Sequence, residues 1–554
     1  MMDVETLPLR VSAVVAGHAG TPIEARYNPV KIIQGGEIGV PLHTVDASKV
    51  DHPALIKSLR ELPFVDDVKL TGQFLNVKLR RDRGIEEILS RSLVPASWKE
   101  SNARVLMEHT SINPNAAPHV GRARNAILGD AIARILSATG NCVSRHYFVN
   151  DFGKQIALLL VALGPGGVAN IPFDDILHRY VEINDRAKAD PRVADQALSF
   201  LGRAEQGDLA VLDELRKIAR HSLDGQLRIL SRLDIEFDTF DFETELLDSA
   251  DIKRVEEELH KAGVTFRDEH GRLVADLAKL GFARDEGRYV VLRRGNGSSM
   301  YLLRDLVYNV RKYELSEGGR NVVVLGEDHK LYMEQVSLLL EVLGVVPPEQ
   351  VYYSYVALRD GKMSTRRGNV VLLENVVDLA LQLALDRVRQ SNPSMSSDEV
   401  SNVAESVSAA AVRFSLLKSA PSSPVVFDLA EATRFEGATG PYLQYSAARC
   451  NALLSKAASA DVAPEREISD ALWSVASTLD EYPVVLAKSA DRLQPSLVCD
   501  YLLRLARAVN HFYAAEQVLR DGAAPPTPIR VIRCAGDTLK HGLGVLGIEV
   551  PARM

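Results

Sequence analysis

Cysteine is scarce. Four occur among 554 residues, Cys142, Cys450, Cys499 and Cys534, without a Cys-x-x-Cys or a Cys/His pairing, so the sequence suggests neither a disulfide framework nor a zinc site. They read as small buried apolar side chains. A basic excess is also missing: 65 Lys and Arg stand against 73 Asp and Glu, a net charge of −8. That argues against indiscriminate nucleic-acid binding, which draws on surplus cations to displace counterions from phosphates. Short clusters at Arg80, Arg81 and Arg83, at Arg293 and Arg294, and at Arg366 and Arg367 leave local patches open. Long apolar runs are absent near the N-terminus, where the longest, residues 156–163, is too short to span a bilayer. The opening MMDVETLPLR lacks the basic start and apolar core of a secretory signal. The expectation is a cytoplasmic protein with no membrane partner and no protein-held metal.

What is present is an ordinary globular composition, 46% hydrophobic and 25% charged, long enough for three or four domains. Residues 1–95 read as a small mixed domain with strands over 10–16 and 74–79 and a helix over 53–62. A second layer, of strand, helix and strand, begins near Asn102. Helical periodicity without a strong motif runs through residues 214–233, and from about Val403 the pattern is almost wholly helical.

Residues 108–130, EHTSINPNAAPHVGRARNAILGD, form the most informative stretch. Val105, Leu106 and Met107 predict a strand, Pro114 and Pro118 a loop, and Ile127, Leu128, Ala131, Ile132, Ile135 and Leu136 a helix. The loop delivers His119, Val120, Gly121 and Arg122 to a helix start, where unpaired amides favour an anion and Gly121 lets a flat ligand approach. A second strand over 142–149 makes a parallel pair with the first. Val322 to Leu325 predict a doubly covered strand ending in Gly326, Glu327, Asp328 and His329. Residues 300–314 open a helix that sets Tyr301 and Asp305 four apart on one face. A strand over 351–358 precedes RDGKMSTRRGN, a glycine-flanked basic loop that by itself would ordinarily be solvated surface.

Glu108, Ser111, Asn113, Pro118, His119, Gly121, Arg124 and Asn125 together resemble the "HIGH" region of class I aminoacyl-tRNA synthetases, and the flanks resemble arginyl-tRNA synthetases. Arg122 stands where most of the class has a second histidine. Lys362, Met363, Ser364, Thr365 and Arg366 resemble the second class signature, without its second lysine. VNDFGKQ at 149–155, RFEGATGPYLQYSAARCNALL at 434–454 and LGVLGIEVPARM at 543–554 resemble other segments of the same family, in archaeal style, as does 70–79 of its tRNA-contacting N-terminal domain. Residues 234–249 resemble a segment of the insertion between the two halves of its nucleotide fold.

The resemblance implies an α/β fold: a Rossmann-like catalytic domain over 96–402 with an insertion at about 165–290, a small α+β domain over 1–95, and an all-α anticodon-binding bundle over 403–554. It implies ATP-dependent attachment of L-arginine to tRNA(Arg) through an adenylate, with Mg2+ and a monomeric enzyme. His119, Arg122 and Lys362 would be catalytic, and His119, Gly121, Arg122, Lys362, Met363 and Ser364 would bind ATP. Glu108, Asn113, His119, Tyr301, Asp305 and Glu327 would bind arginine. Tyr442, Tyr445 and Tyr513 are candidates for stacking on anticodon bases. Arg122 either meets ATP or braces its loop through Asp130 or another acid. A non-catalytic tRNA-binding paralogue and a copy specialised for resistance or secondary metabolism stand as alternatives.

Overall fold

The computed structural model describes residues 5–28, 36–43, 50–100, 102–247, 250–358 and 371–554. The chain divides into two units. One gathers residues 1–101, 384–410 and 433–554, the other residues 102–383 and 411–432.

The first unit opens with a helix, α1 (Leu7–Ala19), where the sequence predicts a strand over 10–16. Thr6 caps it by accepting from the Leu9 amide, Pro8 sits in its first turn, and Gly20 closes it in the left-handed conformation. Leu7, Val11 and Val15 are buried at helical spacing, so end signals and the four-residue period outweigh the β-branched run that suggested a strand. Strands β1 (Arg26–Tyr27), β2 (Ile38–Pro41), β3 (Val65–Thr71) and β4 (Phe74–Leu79) form an antiparallel sheet in the order β1-β2-β4-β3, and α2 (His52–Arg60) and α3 (Arg81–Leu89) accompany it.

The second unit is built on five parallel strands: β5 (Arg104–Glu108), β6 (Cys142–Val149), β7 (Thr239–Phe242), then, after an insertion, β11 (Arg320–Gly326) and β12 (Glu349–Tyr353). Their order across the sheet is β12-β11-β5-β6-β7. Counted in sequence from the β7 edge this is 3-2-1-4-5, so the chain reverses direction between β5 and β11. Ligands of such sheets sit beyond the carboxyl ends of the strands at that switch point. The segment 234–249, placed in the insertion by resemblance, supplies the edge strand β7.

Helices α4 (Val120–Ala138), α5 (Lys154–Leu163), α6 (Phe173–Ala189), α7 (Pro191–Glu205) and α8 (Leu209–Ser231) come between β5 and β7. Then α9 (Ala250–Lys261) leads into an antiparallel sheet, β8 (Thr265–Arg267), β9 (Leu273–Asp276) and β10 (Tyr289–Arg293). Helices α10 (Tyr301–Leu315) and α11 (Lys330–Val342) pack with α9 over one face of the large sheet, where Phe148, Leu306, Tyr308, Val323 and Val336 share one apolar core.

The single strand predicted over 351–358 is broken. Strand β12 ends at Tyr353, and β13 (Val356–Leu358) leaves the sheet to pair with β14 (Val425–Phe427). Helices α12 (Leu373–Ser391), α13 (Ser397–Leu417) and α14 (Leu429–Ala432) follow β13 in the chain order, with β14 just before α14. Back in the first unit, α15 (Gly440–Ala457), α16 (Asp470–Asp480), α17 (Tyr482–Asp491), α18 (Ser496–Ala515) and α19 (Pro526–Gly544) make the predicted helical region. Among the described residues no helix is long and apolar enough to cross a membrane.

Candidate active site

The loop after β5 is held from inside. Thr110 and Ser111 have positive φ, 71° and 41°, and each is fixed by a buried side chain or backbone partner. Asn125 of α4 accepts from the Thr110 amide at 2.7 Å and donates to the Val324 carbonyl at 2.9 Å, tying the ends of β5 and β11 together at the switch point. Gln226, wholly buried on α8, donates to the carbonyls of Asn113 at 3.0 Å and Ala116 at 2.8 Å. A neutral amide satisfied on both sides is a rigid way to shape irregular backbone. Asn113, predicted to meet arginine, sits half-buried in this stapled turn.

His119 is the N-cap residue of α4, with extended backbone and no capping bond from its ring. The ring lies over Gly121 instead: a Cβ added there would come within 3.1 Å of its Nδ1 and Cε1. Desolvation, aided by neighbouring Arg122, lowers the His119 pKa and favours the neutral imidazole. Gly121 and Arg122 share with His119 a cleft of about 600 Å³, closed by Gly326, Glu327 and Asp328 on one side and residues 353–357 on the other. That volume suits a nucleotide.

Arg122 lies beside the Tyr353 hydroxyl. It does not brace the loop through Asp130, which corrects that alternative: Asp130 is fully buried and held by Arg413 and Arg134. Glu327, expected at the amino acid, lines the same cleft as His119 and Arg122 and faces Lys330 at 3.8 Å. Lys362, Met363 and Ser364 lie outside the described residues. Just beyond them Val371 accepts from the Val120 amide, and Leu373 donates to Pro118, so the chain following the basic loop is pinned to the start of α4.

Beside this cleft α10 and its neighbours concentrate acids. Asp305 accepts from the Tyr332 hydroxyl of α11 at 2.5 Å. Tyr301, one turn earlier, is 40% exposed and its ring leans on Tyr332, centroids 5.7 Å apart. Burial raises the Asp305 pKa to about 7, with Glu108 pushing the same way and the Tyr332 bond opposing. Glu108 is engaged: Lys312 donates to it at 2.6 Å, 3% exposed and lying over the Tyr308 ring. Glu243, just past β7, is wholly buried. It accepts from Arg304 at 2.6 Å through one oxygen, while the other, Oε2, has no partner among the described residues. Burial raises its pKa to about 7, with Asp305 and Asp151 adding to the rise and Arg304 opposing it.

Sequence reasoning missed Glu243, Tyr332, Tyr353 and Gln226. Glu243 follows the carboxyl end of a parallel strand, a position that would have flagged it had 239–242 been read as part of the core sheet. Tyr332 carries no comparable signal, since nothing in spacing links it to Asp305. Within the VNDFGKQ segment, Asp151 is buried, accepting from the Thr244 amide at 2.8 Å and hydroxyl at 2.6 Å, and so fixes the turn that carries Glu243.

A buried row near this site, Ser144 to His146 at 3.0 Å and His146 to Asp241 at 2.7 Å, has the order of a hydrolytic triad. Tyr308 also donates to Asp241, at 2.7 Å, and Ser144 stands near the amino end of β6, opposite the ligand-binding strand ends. Its evident role is to anchor α10 to the sheet.

Comparison with known proteins matches residues 85–429 to the family described as tRNA synthetases class I (R), catalytic domain, and residues 443–554 to the DALR anticodon binding domain. The chain is 34% identical over 461 residues to an arginine–tRNA ligase of Archaeoglobus fulgidus, covering 81% of each protein. It is 33% identical over 509 residues to one from Thermoplasma acidophilum, covering 90% of each. Among solved structures, Thermus thermophilus arginyl-tRNA synthetase shares the fold, with a TM-score of 0.82 over 99% of this chain and 100% of that one, at 24% identity.

Proposed function

The chain belongs to the class I arginyl-tRNA synthetases, and from that membership we propose how its residues perform the ATP-dependent joining of L-arginine to tRNA(Arg). ATP occupies the cleft at the start of α4. Gly121 admits the flat nucleotide against the backbone, and neutral His119 hydrogen-bonds a phosphate oxygen without carrying a charge there. Arg122 and, from the loop outside the described residues, Lys362, Met363 and Ser364 meet the phosphates, neutralising charge that develops as pyrophosphate leaves. Magnesium would arrive on the ATP phosphates. Among the described residues no three His, Cys, Asp or Glu side chains gather to hold it, and Mg2+ commonly keeps substrate phosphates as ligands.

The guanidinium of arginine is read by Asp305, with Tyr301 alongside and the buried Glu243 adding negative charge behind them. The observation that carries this is the desolvated Asp305 carboxyl beside an exposed tyrosine, backed by a second buried acid whose Oε2 has no partner among the described residues. A planar five-donor fork answers such acceptors better than the ammonium of lysine. Glu108, already neutralised by Lys312, and Asn113 and His119 then serve the α-amino and carboxylate end. The substrate carboxylate attacks the α-phosphorus in line, forming arginyl-adenylate and expelling pyrophosphate. The acyl group then passes to the terminal ribose of the tRNA, its carbonyl carbon bonding to the ribose oxygen as AMP departs. No protein nucleophile takes part; positioning and charge neutralisation do.

For tRNA, Tyr445 supplies the most accessible platform of the three aromatics considered. It is 39% exposed and stacks on Phe435, with Arg449 bridging to Tyr513. Tyr442 and Tyr513 each spend their hydroxyls inside the bundle.

Arginine-dependent ATP/pyrophosphate exchange, run with and without tRNA, tests the reaction, and kinetics of Asp305→Ala test the pocket. Leaving a buried charge unpaired costs about 3 to 5 kcal/mol. Arginine kcat/KM should therefore fall on the order of a hundredfold to a few thousandfold, with the ATP KM nearly constant. A loss confined to ATP would move Asp305 to the nucleotide site.

A further inference from the structure

We propose that Tyr332 is a positioning residue for arginine recognition: its phenolic hydrogen bond to Oδ2 of Asp305 fixes the carboxylate plane and leaves Oδ1 for the ligand guanidinium. The proposal rests on the assignment of Asp305 to arginine made above. Two facts of geometry carry it. Tyr332 stands in the first turn of α11, whereas Asp305 is on α10, so the bond at 2.5 Å joins two helices across the site. The Tyr332 ring also leans on Tyr301 at a 33° tilt, which gives the phenol a fixed bearing on the carboxylate. Among the described residues no donor reaches Oδ1. A carboxylate otherwise free to rotate about its last torsion is therefore held with one acceptor face open.

The charges around Asp305 explain why the bond matters chemically. Glu108 faces it from β5 and favours its protonated form, while Glu243, beyond β7, is itself pushed up by Asp305. On α10, Arg304 and Lys312 favour the carboxylate, while Tyr301 and Tyr308 are neutral phenols nearby. The hydrogen bond donated by Tyr332 is the leading influence toward the carboxylate, against burial. Removing it tips the group toward the acid form at neutral pH. A protonated carboxyl presents an O–H where the guanidinium needs an acceptor, so arginine would have to displace a proton in order to bind.

The test is aminoacylation by the full-length protein with tRNA in excess and arginine varied across pH, comparing Tyr332→Phe with the native chain. Loss of a hydrogen bond to a charged group should raise the arginine KM about tenfold or more at neutral pH, with kcat and the ATP KM nearly unchanged. The acid limb of arginine kcat/KM should move to higher pH, so the defect shrinks under alkaline conditions. A loss equal at every pH, or one expressed in kcat or the ATP KM, would mark a packing role and overturn the proposal. Asp305→Asn separates the two levels. Should it leave the arginine KM unchanged, the pocket reading falls and this proposal with it. Should it weaken arginine while Tyr332→Phe does not, Tyr332 alone is withdrawn.

Discussion

Glu243 shows how a single side chain can hold recognition and instability together. Its carboxyl is wholly buried, shares one oxygen with Arg304 and has its pKa raised to about 7 from 4.5. Between those two values the folded chain keeps a proton that the unfolded chain has lost, so stability declines as pH rises through that window, and the whole penalty is present above it. A shift of that size corresponds to on the order of 2 to 4 kcal/mol. Glu243→Gln should therefore flatten the fall in thermal midpoint between about pH 5 and pH 8 while weakening arginine use. Scanning calorimetry of both proteins at the two pH values checks it, and parallel pH dependence would remove Glu243 as the source. Arginine added at the higher pH should stabilise the native protein more than the variant. Glu243 was invisible in the sequence for a physical reason: an acid in a DFET string reads as solvated, and only the folded strand end removes its water.

At the scale of elements, the connection between β12 and β13 decides the shape of the nucleotide cleft. Arg124, buried on α4, donates to the Ser354 carbonyl at 2.7 Å and the Ala420 carbonyl at 3.0 Å, clasping the strand break from behind. Burial lowers its pKa to about 10, still high enough to keep the guanidinium charged at neutral pH. Replacing it by Met in Arg124→Met removes two charge-assisted bonds worth about 1.5 to 3 kcal/mol each. Denaturant titration should show a loss of about 3 kcal/mol or more, and the ATP KM should rise more than the arginine KM, because Ser354 and Tyr355 line the cleft. An unchanged ATP KM would show that the break is set by something else. The strands and helices around His119 were legible because β5 is a short apolar run, the prolines interrupt it and α4 repeats at helical spacing. The break at Ser354 was not, since VYYSYVAL is continuous in strand propensity and the cause of the break lies 230 residues away in Arg124. At residues 10–16 the error had a local origin, because valine content spoke for a strand while the capping residues on either side spoke for a helix.

At the scale of the whole molecule, one unit draws on both chain ends, and Asp480 of α16 is where they are fastened. It is 4% exposed and accepts from the Leu7 amide at 2.8 Å, the Tyr27 hydroxyl at 2.7 Å and the Arg91 guanidinium at 2.6 Å. Nearby, Gly84 of α3 sits so close to Trp473 that a Cβ would approach its ring to 3.1 Å. Removing the acid in Asp480→Ala leaves the Leu7 amide and the Tyr27 hydroxyl without their acceptor, a cost of about 1 to 3 kcal/mol each, while Arg91 keeps Glu87 and the Glu5 carbonyl. Hydrogen exchange should accelerate across α1 and α16 while α4 and β5 keep their protection; faster exchange in all four would mean that the units do not unfold separately. Residues 443–554 match an anticodon-binding family and residues 85–429 a catalytic one, yet neither match hints that residues near 7 and 480 meet. Leu7 and Asp480 are 473 positions apart. At a synthesis rate of about 5 to 20 residues per second, the ribosome makes Asp480 roughly 25 to 95 seconds after Leu7. During that interval α1 has its buried stripe of Leu7, Val11 and Val15 but lacks its capping acid, while the five-stranded sheet of the other unit can already be complete through β12. Leu7, Tyr27 and Arg91 thus wait for their shared acceptor until α16 has been made, and a nascent chain stalled before α16 should leave α1 open to proteases.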